Sequence, residues 1–216
     1  MKSPRSLLIN RNFANLWYGL AVSTVGDYVF DTTLVLWVAT VVAKGAPWAP
    51  VAVSGVLLSV SAAVLLVGPI AGVFVDRWDR KKTMLRSELI RAVLVAALFV
   101  LTLVPTRDLP VWLWLTSIYV VVFALNVAGQ FFGPARFATI GDVVSGDADR
   151  ARAAGITQAT TSVAAIVGPP LAAPLLFATG VQWAMVVNAL SYVASYFAIR
   201  AVRVTDSPIA EPLVVC

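Results

Sequence analysis

Residues 153–199 read AAGITQATTSVAAIVGPPLAAPLLFATGVQWAMVVNALSYVASYFAI, a run of 47 residues without a charged side chain. A helix that crosses the hydrocarbon core of a bilayer needs about 20 apolar residues. The run is therefore too long for one crossing but long enough for two. The Ala178-Thr179-Gly180 segment contains the glycine that favours a turn after a helix. The run predicts two transmembrane helices, over about 154–178 and 182–200.

Other stretches without charge mark further spans, because an ionised side chain at the centre of a transmembrane helix costs about 2.5 to 3.5 kcal/mol. Residues 45–75 and 109–135 carry no charge. Two more apolar segments each contain a pair of charged residues, Asp27 with Asp31 and Glu88 with Arg91. The sequence predicts an all-α membrane protein whose bundle, residues 13–203, has spans at about 13–43, 51–75, 83–104, 110–135, 154–178 and 182–200.

The composition excludes most other classes of protein. The chain has 216 residues, of which 60% are hydrophobic and 12% are charged, about half the charged share of a soluble domain. It has no histidine and one cysteine, Cys216, so histidine-based catalysis, zinc sites and disulfides are excluded. We expect no enzyme, no catalytic residue, no metal and no cofactor.

The positions of Lys and Arg set the orientation, because cytoplasmic loops retain positive charge. Only Lys44 and Arg107 fall on the side opposite to the other cations. Both ends, residues 1–12 and the start of a linker at 204–216, are therefore predicted to be cytoplasmic, in a multi-pass protein of the plasma (inner) membrane. The net charge of +5 then follows from topology, and no nucleic-acid partner is expected; the expected surroundings are the lipid bilayer.

An internal match supports a repeat within the bundle. Val67-Gly68-Pro69 recurs 100 residues later as Val167-Gly168-Pro169, in the second and fifth predicted helices, which cross in opposite directions. Three helices repeated with inverted topology would pair the second with the fifth. Gly68, Pro69, Gly168 and Pro169 are the predicted helix-packing positions, because Gly permits close approach and neighbours can pack on a Pro break.

The loop between the second and third helices carries a G-x-x-x-D-R-x-x-R-K pattern, formed by Gly72, Asp76, Arg77, Arg80 and Lys81. In this loop the pattern resembles the signature of the major facilitator superfamily. The stretches 10–37 and 131–170 are similar to its macrolide-efflux and enterobactin-exporter branch. That family usually has Gly where this chain has Asp79, which predicts an Asx-type hydrogen bond in place of a glycine conformation.

The resemblance implies the N-terminal six-helix half of a secondary transporter. Its expected activity is proton-driven efflux of small hydrophobic or amphipathic molecules, such as drugs or siderophores. The fifth-helix antiporter pattern is degenerate at Ala164, Ala172 and Ala173, which leaves the direction of transport open. The expected partner is a missing C-terminal six-helix half or, for a half-size homodimer, a second copy. A non-transporting receptor or assembly protein is the other alternative.

Two aspartates within the first span are candidates for proton coupling or cation binding. Asp27 and Asp31 are four residues apart and so share a helix face. Asp27 lies about 20 Å along the helix from Phe13, near the bilayer midplane. The alternative is that hydrogen bonds or a basic partner neutralise both and they only pack the bundle.

A second set of candidates would line a central cavity if the resemblance holds. Polar and aromatic residues of the fourth helix share a face with spacings of i, i+4, i+7 and i+11, and two aromatics of the first helix would join them. The alternative is that these aromatics face lipid or interfacial belts. The residues are Tyr119, Phe123, Asn126 and Gln130, with Tyr28 and Trp37.

Glu88 and Arg91 are spaced i and i+3 in the third helix, one to two turns inside it. They are predicted to form a charge network, either with each other or with the loop charges Asp76, Arg77 and Arg80. The structural interpretation is a static network. The functional alternative is a cytoplasmic latch that holds the outward-facing state and breaks when the bundle rocks.

Overall fold

The structure is a computed structural model that describes residues 9–203. The predictions for residues 1–8 and for the linker at 204–216 lie outside this range. Within it the chain forms α-helices and one π-helical turn, with no strand among the described residues. The helices are α1 (Arg11–Trp37), α2 (Ala49–Val75), α3 (Arg80–Leu101), α4 (Val111–Val143), α5 (Asp147–Thr179) and α6 (Val181–Arg200), and the π-helical turn Val38–Val42 extends α1.

Four of these helices are long and apolar enough to cross a membrane: α1 with its π-helical turn, α2, α4 and α5. This confirms the prediction of an all-helical membrane protein. The helices α3 and α6 have 22 and 20 residues and are not in this group. The first turns of α3 are charged, and α6 carries several polar residues in its interior.

Local signals in the sequence fix several helix ends. The Asp79 side chain accepts a hydrogen bond from the Lys82 backbone N–H at 2.9 Å, which confirms the predicted Asx-type bond and starts α3 at Arg80. Between α5 and α6 only Gly180 intervenes, with φ of +93°. This left-handed conformation favours glycine, and it confirms the predicted turn.

Some helices extend beyond the charge-free runs. The helix α3 starts three residues before the predicted span, α4 continues to Val143, and α5 already begins at Asp147. Charge limits where a span can lie in the bilayer, but it does not stop helical hydrogen bonding in water. Asp147 and Asp149 also lie in the first turn of α5, where negative charge is favourable.

The helices pack in a simple order. Contacts join α5 to α1, α1 to α6, α6 to α3, α3 to α4 and α4 to α2. Two apolar clusters form the core. One surrounds Trp37, Trp114 and Met185, and the other surrounds Phe13 and Met84 at the end near the α2–α3 loop. The middle of α1, α3 and α6 lies between them, and there the core is polar.

Candidate functional site

An ion pair joins α1 to α3 in the middle of the bundle. Arg91 Nη2 lies 2.7 Å from Asp27 Oδ2, with side chains 12% and 26% exposed. The other carboxylate oxygen, Oδ1, accepts a hydrogen bond from the Tyr192 hydroxyl of α6. Both oxygens of Asp27 therefore have donors, and the three residues connect three helices.

Tyr192 orients this ion pair from α6. Its ring lies beneath the guanidinium, with Arg91 Cζ 4.4 Å from the ring centroid. The Asn188 side chain donates to the Tyr192 hydroxyl at 3.3 Å, which leaves the hydroxyl proton directed at Asp27. A cation over an aromatic face is attracted to it most strongly when water is excluded.

Glu88 lies one turn before Arg91 and is fully buried. Its Oε1 accepts a hydrogen bond from Ser195 Oγ of α6 at 2.8 Å. Its Oε2 and the Nε of Arg91 are buried without a hydrogen-bond partner among the described residues. We call Asp27, Glu88, Arg91 and Tyr192 the charge network.

A glycine allows α1 to approach α6 closely enough to form this network. A Cβ atom on Gly26 would lie 2.5 Å from Ser191 Oγ and 2.8 Å from Asn188 Oδ1. Only a residue without a side chain fits there. The next residue, Asp27, is thereby brought within reach of Tyr192.

The second predicted aspartate, one turn further along α1, lacks these partners. Asp31 is exposed on the surface of the bundle, and no hydrogen bond or salt bridge joins it to another residue in 9–203. The two aspartates therefore share a helix but have different surroundings. Of the two, Asp27 faces the interior.

Two residues of the predicted cavity face of α4, Tyr119 and Gln130, are directed at α2. The Tyr119 hydroxyl donates to the Ala52 carbonyl at 2.9 Å, and Gln130 Oε1 is 3.2 Å from where a Gly68 Cβ would be. The Asn126 amide bonds the Val122 carbonyl of its own helix, and Phe123 is half-buried. Tyr119 and Gln130 therefore pack on Gly55 and Gly68 of α2. No hydrogen bond within residues 9–203 joins any of the four α4 residues to Asp27.

The aromatics predicted for the same cavity also separate. Trp37 is 4% exposed and packs edge-on against Trp114, with ring centroids 5.4 Å apart. Tyr28 instead packs on α5, where a Cβ on Gly168 would lie 2.5 Å from the Tyr28 Cβ. The two residues are thus in different helix–helix interfaces.

The loop signature joins three helix ends. Arg80 Nη1 donates to both carboxylate oxygens of Asp142, at 2.9 and 2.7 Å. Lys81 Nζ donates to the backbone carbonyls of Arg200 and Val202. These carbonyls lie at the end of α6, where no further helical N–H group is available to bond them. We call Arg80, Lys81 and Asp142 the loop cluster.

The loop does not reach Glu88 or Arg91, which corrects one of the predicted pairings. Because α3 begins at Arg80, Glu88 is about two turns and Arg91 about three turns into the helix. Asp76 and Arg77 are exposed and form no salt bridge within residues 9–203. Arg91 pairs with Asp27 of α1 instead.

Comparison with known families identifies the architecture. The family model of the Major Facilitator Superfamily matches residues 8–213. The chain belongs to this superfamily. Its members are transporters rather than enzymes, and among residues 9–203 no cluster of three or more His, Cys, Asp or Glu could hold a metal ion.

Named relatives within the superfamily are efflux proteins. The chain is 30% identical to the putative bacilysin exporter BacE of Bacillus amyloliquefaciens over 206 residues, which are 92% of this chain and 46% of that protein. It is 28% identical to macrolide efflux protein A of Streptococcus pyogenes over 193 residues, 89% of this chain and 44% of that one. The chain thus spans less than half the length of these relatives.

Two sets of partners in this superfamily member were not predicted from its sequence. These are the polar residues of α6 that contact the charge network, and Asp142, which pairs with Arg80 of the loop. Asn188, Ser191, Tyr192 and Ser195 are spaced i, i+3, i+4 and i+7. That spacing places them on one helix face. A polar stripe in an otherwise apolar span is the signal that identifies them.

Proposed function

We propose that this chain is the first six-helix half of a secondary exporter in the plasma (inner) membrane, driven by the proton gradient. The observation that carries the proposal is the Asp27–Arg91 pair, held between the two apolar core clusters. Ionisable residues inside a membrane are expensive and mark proton or substrate pathways. A carboxyl group that binds a proton there would release Arg91, and the helices that the pair joins could then move.

The proposed cargo is a small hydrophobic or amphipathic molecule, such as a drug or a siderophore. The relatives named as exporters of bacilysin and of macrolides support efflux as the direction. The aromatic residues of α1 and α4 offer apolar contact area for such a molecule. The alternative of a non-transporting receptor or assembly protein gives no reason for a buried ion pair in the membrane.

The proposal requires α3 and α6 to cross the membrane as well. Their polar residues face the charge network inside the bundle, and their outer faces are apolar. An apolar outside with a polar inside is typical of helices that face lipid on one side and a functional interior on the other. The exposed outer residues include Leu89, Ile90, Val93 and Val100 of α3 and Trp183, Leu190 and Phe197 of α6.

The packing order supports two inverted three-helix repeats. Exchanging α1 with α4, α2 with α5 and α3 with α6 leaves the order of neighbours unchanged. The recurring glycines follow the same exchange, since Gly68 of α2 packs on Gln130 of α4 and Gly168 of α5 packs on Tyr28 of α1. The binding site then lies where the repeats meet.

The helices α2 and α5, at the two ends of the packing order, expose large apolar residues such as Leu58, Leu65 and Ile166. Some of this surface faces lipid, and the rest is available to a second bundle. We propose that a C-terminal six-helix half covers it, since the relatives are more than twice as long as the matched region. A homodimer with a second copy is the alternative.

We further propose that the loop cluster is a cytoplasmic latch. It ties the start of α3 to the ends of α4 and α6 through exposed contacts, which can break when the bundle rocks. Cross-linking of the α2–α3 loop to α4 in each transport state tests this. Cross-linking that does not depend on state would exclude a latch.

Efflux of ethidium from cells that express the protein tests the function. We expect efflux that an uncoupler abolishes, loss of this coupling in Asp27→Asn, and retained coupling in the matched variant Asp31→Asn. Efflux that is unaffected by the uncoupler would refute proton coupling. Absence of efflux across a panel of dyes and drugs, with this chain and its C-terminal six-helix half both correctly inserted, would favour the receptor or assembly alternative.

The orientation can be tested with the native sequence. Cys216 is the single cysteine of the chain, so a membrane-impermeant thiol reagent reports on its position alone. We expect no labelling in intact cells and labelling after permeabilisation. Labelling in intact cells would place this end outside and contradict the proposed topology.

A further inference from the structure

Glu88 is a carboxyl group without a cation of its own. It is fully buried, and its one hydrogen bond comes from the neutral Ser195 hydroxyl. The nearest guanidinium, one turn along α3, is directed at Asp27 at 2.7 Å. Glu88 Oε2 has no partner among the described residues.

Charge balance assigns a proton to this site. Asp27, Glu88 and Arg91 together would carry a net negative charge if all three were ionised, and an unpaired buried carboxylate is strongly unfavourable. One proton on either acid makes the group neutral. Asp27 accepts hydrogen bonds at both oxygens, as a carboxylate does, so the proton belongs on Glu88.

We propose that Glu88 is a second proton-binding site, and that Glu88 and Asp27 share one proton while Arg91 pairs with whichever is ionised. A proton that binds Asp27 frees the guanidinium. Arg91 then turns to Glu88, to which the i, i+3 spacing gives it access. Glu88 releases its proton in exchange, so one proton enters, one leaves, and the net charge stays the same.

Two unpartnered atoms support this exchange. Arg91 Nε and Glu88 Oε2 are both buried without a hydrogen-bond partner in the part of the chain that the structure describes, and they are a donor and an acceptor on adjacent turns of one helix. In the exchanged state each could satisfy the other. Such orphaned groups are rare in folded proteins, and an alternative pairing explains why both occur here.

Other groups near the pair do not replace either acid. From α6, Tyr192 contributes a neutral hydroxyl to Asp27. From α1, Asp31 is exposed one turn beyond Asp27, and its negative charge can change the proton affinity of Asp27. No hydrogen bond or salt bridge of residues 9–203 brings a charged group of α4 to Glu88. The use of the exchange in transport rests on the proposed function, whereas its existence does not.

The glutamate content of the chain allows a direct test. Its glutamates are Glu88 and Glu211, so the 216-residue chain labelled with carbon-13 at glutamate side-chain carboxyls gives two signals. In lipid nanodiscs at about pH 6, we expect Glu211 at the carboxylate position and Glu88 at the neutral-acid position. The variant Glu88→Gln assigns the signals.

Variants then test the exchange itself. In Asp27→Asn, Arg91 loses its partner, and we expect the Glu88 signal to move to the carboxylate position at the same pH. In the matched control Asp31→Asn it should not move. A Glu88 carboxylate in the wild-type chain would overturn the proton site without need of any variant, and an unmoved signal in folded Asp27→Asn would overturn the exchange. Dye efflux that is insensitive to an uncoupler would refute proton coupling but leave these spectra unchanged.

Discussion

The ion pairs Arg91–Asp27 and Arg80–Asp142 have the same closest distance, 2.7 Å, but different surroundings. The difference lies in the arginines, since the Arg91 side chain is 12% exposed and that of Arg80 is 41% exposed, whereas Asp27 and Asp142 are 26% and 27% exposed. A buried charge that loses its partner has no water to replace it. An exposed one is rehydrated, and its pairing contributes little. Equal geometry therefore does not imply equal energy.

The two regions also differ in how many groups depend on one another. In the charge network, Asp27 accepts from Arg91 and Tyr192, and Tyr192 is held in turn by Asn188. In the loop cluster, the Arg80 and Lys81 contacts are separate and reach different helices. Connected groups reinforce one another in a low dielectric. Removing one member should therefore affect the network more than the cluster.

The largest effect is expected for Arg91→Gln, which removes the less exposed of the two arginines and leaves Asp27 inside the bundle without its cation. We expect a loss of about 3 to 5 kcal/mol in the free energy of unfolding, measured by denaturant titration in mixed micelles. Asp27→Asn should cost less than Arg91→Gln, because Glu88 can take over as the partner of Arg91.

The matched control is Arg80→Gln, the same change in the exposed pair. It should cost about 1 kcal/mol or less. Equal losses for Arg91→Gln and Arg80→Gln would show that burial does not separate the two regions. The double variant Asp27→Asn/Arg91→Gln should recover part of the single-variant loss, since no unpaired charge remains.

A smaller effect is expected from glycines in the two regions. Gly26→Ala inserts a Cβ that would lie 2.5 Å from Ser191 Oγ, so α1 must move away from α6, at a cost of about 1 to 3 kcal/mol. Gly72→Ala in the loop signature meets nothing within 4 Å and should be neutral or stabilising by up to about 1 kcal/mol. Thermal unfolding in the same detergent compares them. A Gly26→Ala variant as stable as Gly72→Ala would mean that the interface adapts freely.

Features that depend on neighbouring residues could be predicted from the sequence. The turn at Gly180 and the cap at Asp79 follow from the conformations and hydrogen bonds that these residue types favour locally. The charge-free runs predicted the apolar helices because placing a charge inside the membrane is unfavourable whichever neighbours the helix packs against. The family resemblance rests on the loop signature and on the stretches 10–37 and 131–170, and it needed no knowledge of packing.

The partners across the bundle could not be predicted, because they depend on helix rotation and order. Arg91 and Asp27 are 64 positions apart, and nothing local directs one to the other. Tyr119 was expected to line a central cavity with aromatic residues of α1, but its ring packs against Gly55 of α2 instead. Only the polar stripe of α6 held an unused signal, in its helical spacing.

A third prediction concerns the cap at the start of α3. Hydrogen bonding from the Lys82 backbone N–H and attraction to the Lys82 ammonium hold the pKa of Asp79 below its ordinary value of 3.8. The folded state therefore favours the carboxylate, and this stability is present at neutral pH and is lost as pH falls through the lowered pKa. We expect Asp79→Ala to cost about 1 kcal/mol at neutral pH, measured by thermal unfolding.

Asp79→Asn separates the cap from its charge. An asparagine oxygen can still accept from the Lys82 N–H, so most of the stability at neutral pH should remain. The acid-dependent loss should disappear in this variant. An Asp79→Asn protein that still loses stability over the same acid range would assign that dependence to another carboxylate.

The smallest effect is expected for the coupling energy of Arg80 and Asp142. Both carboxylate oxygens are bonded by the same nitrogen, Arg80 Nη1, rather than by the two-nitrogen fork that gives arginine its strongest pairs. A double-mutant cycle with Arg80→Gln and Asp142→Asn should therefore give a coupling energy of about 0.2 to 1 kcal/mol.

This coupling energy should fall when salt is raised to about 1 M, where the Debye screening length is about 3 Å. The Arg91–Asp27 coupling should be nearly unchanged by the same salt because water and ions reach it less. A loop-cluster coupling that resists salt would mean that this pair too is sheltered, and that exposure alone does not distinguish the two regions.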